Sequence, residues 1–141
     1  MLNLETKDFT LNKINTIHLG KVTVSITSDN LFVIEIEKDT EVNLFNTKEI
    51  IQATKTLGRG VKIPALIIAN DFSLPTKETR EFLANAEASP QVCAEAYLLK
   101  STAQSIIGNF YLNVNKPERP TRMFTKLNEA LKWLDQFRAQ E

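Results

Sequence analysis

Residues Ile63–Ala69 read Ile-Pro-Ala-Leu-Ile-Ile-Ala, apolar on both faces of an extended chain. A strand of that kind is stable only where other elements cover it on two sides. Pro64 falls near its start, where a sheet tolerates the loss of one ladder donor. This run therefore predicts a central strand with helices packed against its sheet, and the segments around it supply them. Helical periodicity begins after Asn46, where Glu49 three residues on forms a capping-box pattern, and runs through Ile50, Ile51, Ala53, Thr54 and Leu57 to a stop at Gly58-Arg59-Gly60. Past the loop Asn70-Asp71-Phe72-Ser73-Leu74-Pro75, Thr76 is placed to cap a second helix extending to about Glu87.

The segments on either side complete an α/β order. Residues 21–27 alternate strictly, with Val22, Val24 and Ile26 on one face and Thr23, Ser25 and Thr27 on the other. The alternation resumes over residues 31–38 after the turn signal Ser28-Asp29-Asn30, so the two runs pair as a hairpin. Residues 92–99 predict a further strand, interrupted by Glu95. Ser101 or Thr102 caps a third helix through Ile106, Ile107, Phe110 and Val114, in which Gly108 permits a close backbone approach. Residues 121–125 add a short edge strand, and Leu127, Ala130, Leu131, Leu134 and Phe137 mark a last amphipathic helix. Residues 1–19 are weakly patterned and read as a loose arm or an added edge strand of one domain spanning residues 1–141.

Composition narrows the chemistry. Seventeen basic and seventeen acidic side chains give a formal net charge of zero, so no global field favours nucleic acid or an anionic membrane. The single cysteine, Cys93, cannot form an internal disulfide, which fits a reducing cytoplasm. No stretch has the length and apolar character of a membrane span. One histidine, His18, and one cysteine cannot supply a nucleophile with an oriented base or a typical zinc set, so neither catalysis nor a metal or other cofactor is expected. Gly58 and Gly60 precede a strand rather than follow one, which is the wrong side for a phosphate loop. A hydrolase or transferase built on Asp71 and Arg80 lacks a third orienting group.

Two surfaces remain as candidates. The loop and helix start at 70–80 lie at the C-terminal end of the central strand, where open α/β sheets place their sites. Asp71, Phe72, Ser73, Thr76, Thr79 and Arg80 are its candidate contacts, and the hydroxyls are candidate phosphosites because a phosphate there would meet free backbone N–H groups and Arg80. The other surface holds Lys116, Arg119, Arg122 and Lys126, four cations in eleven positions around Pro117 and Pro120, a candidate anion or acidic-partner contact. Nucleic acid is not expected at it, since no stacking aromatics are interleaved.

The stretch Ala65-Leu-Ile-Ile-Ala-Asn-Asp-Phe-Ser73 with Thr79-Arg80-Glu81-Phe82 resembles the central strand, loop and second helix of the small bacterial STAS-like, or SpoIIAA-like, proteins, related in fold to anti-sigma-factor antagonists. Ile107-Gly-Asn-Phe110, Asn115-Lys-Pro117, Pro120-Thr-Arg-Met-Phe124 and Glu129-Ala-Leu-Lys-Trp-Leu134 resemble the C-terminal part of that group. The resemblance covers about the last two-thirds of the chain. It implies a four- to five-stranded mixed sheet with about four helices packed mainly on one side, and a non-enzymatic regulatory role exercised through an unidentified protein partner. It also implies a phosphorylated hydroxyl near the start of the second helix, for which Thr76 is the nearest positional match. A carrier of a small apolar ligand or lipid is the alternative it implies, and Phe110, Tyr111, Phe124 and Trp133 are the residues expected to line its pocket. A polar hairpin face leaves a sheet surface or edge for a twin subunit, so a homodimer is expected.

Overall fold

The computed structural model describes residues 11–138. Its framework is a six-stranded sheet, two strands of which lie where the sequence is least patterned. Strands β1 (Lys13–Leu19), β2 (Val22–Thr27) and β3 (Phe32–Ile36) form an antiparallel meander. From β3 onward the sheet is parallel, adding β5 (Ile63–Ala69), β7 (Val92–Leu98) and β8 (Thr121–Phe124) in the spatial order β1-β2-β3-β5-β7-β8. Six strands exceed the four or five expected because both provisional edge segments pair: β1 along β2, and β8 along β7. Residues 1–10 of the expected arm lie outside the described residues.

Each parallel connection carries a helix. These are α1 (Leu44–Gly58), α2 (Lys77–Leu83) and α3 (Thr102–Phe110), the last continuing into a π-helical turn, Tyr111–Asn115. Strands β3, β5, β7 and β8 are added one after another in the same direction, and crossovers between parallel strands are right-handed, so all three helices fall on one face. The last helix, α4 (Leu127–Arg138), follows the final strand, makes no crossover and covers the opposite face. Strand β5 is thus enclosed as its doubly apolar sequence requires. Ile63, Ala65 and Ile67 join the core under α1 with Val24, Phe32 and Ile34, whereas Leu66 joins Leu31, Val33, Leu98, Leu131 and Leu134 under α4.

Local chemistry explains where the helices begin and end. Helix α1 starts a turn earlier than the Asn46–Glu49 pattern suggests, because Asn43 is the cap. Its side chain accepts from the Asn46 N–H at 2.8 Å while the Asn46 side chain accepts from the Asn43 N–H at 3.2 Å. It closes at Gly58 with Arg59 in the left-handed conformation at φ 54°, as the Gly-Arg-Gly signal indicates. Thr76 caps α2 as expected, but α2 ends at Leu83 rather than near Glu87, followed by a 3-10 turn at Ala86–Ala88. The backbone turns extended at Asn85, whose side chain accepts from the Glu87 N–H, and the Arg119 guanidinium satisfies the freed carbonyls of Leu83, Asn85 and Ala86.

One element has no counterpart in the sequence reading. Strands β4 (Glu41–Val42) and β6 (Leu74–Pro75) pair in parallel as a two-residue ribbon. Together with the Asp39 N–H bonded to the Asp71 carbonyl at 2.8 Å, this ribbon ties the segment after β3 to the loop after β5.

Candidate functional site

The loop after β5 is fixed from three sides. Asn70 donates from both its backbone and its side chain to the Ile36 carbonyl, at 3.2 and 2.9 Å. Gln104, buried on α3, sends its amide nitrogen to the carbonyls of Asn70 at 2.8 Å and Ser73 at 3.0 Å. Its amide oxygen accepts from the N–H groups of Lys100 and Ser101, completing a capping box with Ser101. Sequence reasoning missed Gln104, although its position three residues after a serine cap is the signal that would have found it.

The candidate residues of 70–80 divide sharply once placed. Ser73 and Thr79 are buried. Ser73 donates to the Asn70 carbonyl at 2.7 Å, and Thr79 donates to the Val42 carbonyl at 3.0 Å while its hydroxyl also meets those of Thr47 and Thr76. Thr76 is half-buried and accepts from the Thr79 N–H as the helix cap. Asp71 and Phe72 stand in solvent. Phe72 is 68% exposed and holds a left-handed φ of 64°, a conformation costing a bulky residue about 1–2 kcal/mol. Arg80 rests its guanidinium 5.4 Å from the Phe110 ring centroid and donates weakly to the Pro75 carbonyl at 3.4 Å.

The four cations do not form one surface. Lys116, Arg122 and Lys126 are exposed, whereas Arg119 is buried beneath the end of α2, so the expected anion patch loses its central member to a structural role. The four aromatics expected to share a pocket are likewise divided. Phe124 and Trp133 pack on the α4 side, their ring centroids 5.8 Å apart, and Phe110 is 44% exposed. Tyr111 alone of the four lines a cavity on the other face.

That cavity has a volume of about 120 Å³ and lies between the sheet and the layer formed by α1, α2 and α3. Its sheet floor includes Ile34, Ile36 and Ile67, and its helical roof includes Ile50, Ile51 and Ile107. The loop residues Ser73, Leu74 and Pro75, with Thr79 and Arg80, form part of the wall, so the predicted loop borders the cavity. Small side chains make the space: Ala69 ends β5, and Gly108 lets α3 approach β8 so closely that a Cβ there would lie 3.1 Å from Met123 Sδ.

A buried polar group interrupts the apolar lining. Glu95 is 5% exposed, and its Oε1 accepts from the Tyr97 hydroxyl at 3.0 Å. Its Oε2 lies 3.8 Å from Arg119 Nη1. Tyr97 and Tyr111 meet edge to face at 6.3 Å. The Tyr111 hydroxyl, although buried, has no hydrogen-bond partner among the described residues. Burial pushes the Glu95 carboxyl above the usual carboxylate range, an effect partly offset by the Arg119 charge. Burial and the neighbouring Glu95 push both tyrosines upward, so the hydroxyls keep their protons at neutral pH.

Among the described residues no group of three His, Cys, Asp or Glu converges in a way that would hold a metal ion. His18 is exposed on β1 and Cys93 is half-buried on β7. No described helix is long and apolar enough to cross a membrane.

The sequence profile of a domain of unknown function, DUF7793, matches residues 24–138. The chain belongs to this family. No curated protein matches it. A solved structure of an uncharacterized protein from the DUF3478 family of Shewanella loihica PV-4, described as having a SpoIIAA-like fold, superposes with a TM-score of 0.53. At 15% sequence identity the match covers 86% of this chain and 99% of that one. The DUF7793 chain therefore has the SpoIIAA-like fold that the strand-loop-helix resemblance implied.

Proposed function

We propose that this DUF7793 domain is a non-enzymatic binding module whose cavity between sheet and helices holds a small apolar molecule, with the loop at 70–80 as its wall. The observation that carries the reading is the cavity itself, about 120 Å³ with a predominantly apolar lining that runs from the sheet to α1, α2 and α3. Protein interiors are close-packed, so this lining is apolar surface that an apolar occupant would remove from water. The volume is comparable to engineered cavities of roughly 150 Å³ that take up benzene, which suits a ring or a short chain rather than a whole lipid.

The test is a methyl NMR titration with toluene. The methyls of Ile34, Ile51, Ile67 and Ile107 should shift while those of Leu131 and Leu134, under α4, stay in place. The absence of any saturable shift would overturn the reading.

A second reading, a regulatory contact with a protein partner through the same loop, rests on Phe72. A bulky apolar side chain held in solvent with a left-handed backbone serves no packing purpose in the domain itself. Affinity capture with wild type and Phe72→Ala tests it. A partner retained equally by both would sink the loop as the contact.

A further inference from the structure

The polar group in the cavity wall points to the kind of molecule the cavity selects, and this inference rests on the ligand-binding reading above. We propose that the ligand is uncharged and carries one hydroxyl, as a small aromatic or short-chain alcohol does, which donates to Glu95 Oε2 and accepts from the Tyr111 hydroxyl.

Two polar groups of the cavity wall have unused hydrogen-bonding capacity. Glu95 Oε1 is taken by Tyr97 at 3.0 Å, whereas Oε2 is 3.8 Å from Arg119, beyond hydrogen-bond reach, and accepts from no other described residue. Tyr111 is 4% exposed, lines the cavity and has an unpartnered hydroxyl. A buried polar atom left unpaired is costly, and buried groups of this kind are ordinarily satisfied by protein, water or ligand. One free acceptor and one free hydroxyl match a ligand alcohol, which donates once and accepts in return.

Charge decides against the other head groups. Glu95 and Arg119 already neutralise one another, and Arg119 is occupied by the carbonyls of Leu83, Asn85 and Ala86 at 2.9, 3.2 and 3.1 Å. A carboxylate ligand would bring a second negative charge against Glu95 in a medium that screens poorly. An ammonium would meet two cations, Arg119 at 3.8 Å from Glu95 Oε2 and Arg80 in the cavity lining, against the one carboxylate. Arg80, which lines the cavity and whose buried Nε has no hydrogen-bond partner among the described residues, would favour an anion, and the experiment includes that alternative.

Toluene, benzyl alcohol, benzoate and benzylamine are ring ligands of similar size that differ in the head group. Their affinities for the wild-type protein should rank benzyl alcohol first, about tenfold tighter than toluene, the difference of one or two net hydrogen bonds. Tyr111→Phe removes a hydroxyl that holds nothing in the protein, so it should fold normally and bring benzyl alcohol to within about threefold of toluene. Equal affinity for toluene and benzyl alcohol in wild type would overturn the hydroxyl assignment while leaving the cavity reading intact. Tighter binding of benzoate or benzylamine would overturn the uncharged head. If none of the four binds, the ligand-binding reading itself falls.

Discussion

Arg119 Nη1 lies 3.8 Å from Glu95 Oε2 with both side chains removed from solvent, and the same guanidinium caps three carbonyls at the end of α2. This one side chain links the loop before β8 to β7 and to the turn that follows α2. Arg119→Ala leaves a buried carboxylate and three carbonyls without their partner. The expected loss is about 3–5 kcal/mol, the range for breaking a buried ion pair from one side. Urea denaturation checks it, and a loss under about 1 kcal/mol, the size of an exposed pair, would contradict the assignment.

Glu95 also gives stability a pH dependence of known sign. Its folded value is raised by burial against the pull of Arg119. The folded protein therefore keeps a proton that the unfolded chain releases near the ordinary glutamate value of about 4.3. The contribution is full below that value and is lost as pH rises through the folded one. As pH rises above about 4 and through the folded value, wild-type stability should fall more steeply, or rise less, than that of Glu95→Gln. Parallel pH profiles for the two proteins would refute this.

At the other end of the domain, Gly58 closes α1 directly over Phe32. A Cβ at this position would lie 2.8 Å from the Phe32 ring carbon Cζ, and Phe32 is fully buried, so the ring or the helix end must shift. Alanine gains up to about 1 kcal/mol in helix propensity, but overpacking costs about 1–3 kcal/mol, and the second effect should win. Gly58→Ala is expected to lower the thermal midpoint; a raised midpoint would mean that the ring shifts freely.

The hydroxyls at the start of α2 should respond unequally to substitution. Thr79→Val removes the donor to the Val42 carbonyl from a buried cluster and should cost about 1–3 kcal/mol. Thr76→Asp keeps a good cap and should change stability by less than about 0.5 kcal/mol. Of the two, only Thr76 therefore accepts a negative charge without unfolding the site. A Thr76→Asp protein as destabilised as Thr79→Val would remove it as a modification candidate.

Periodicity alone was sufficient for the parts of this fold set by side chains close together in sequence. The strict alternation of β2, the doubly apolar β5, the Thr76 cap and the Gly58 stop each follow from residues a few positions apart, while the SpoIIAA-like resemblance rests on the motifs at 65–73 and 79–82 and in the C-terminal part. The tertiary structure decided what depends on partners far along the chain. Arg119 looks like one of four surface cations until the end of α2, some 34 residues earlier, supplies its carbonyls. Phe124 and Trp133 look like pocket aromatics until α4 carries them to the other face. The β4–β6 ribbon is too short to have a period, and a cavity is a property of what the packing leaves unfilled, which no local pattern encodes. Glu95 reads as an interruption in a strand; only when Tyr97, Tyr111 and Arg119 close around it does it become a buried polar group in the wall of a cavity.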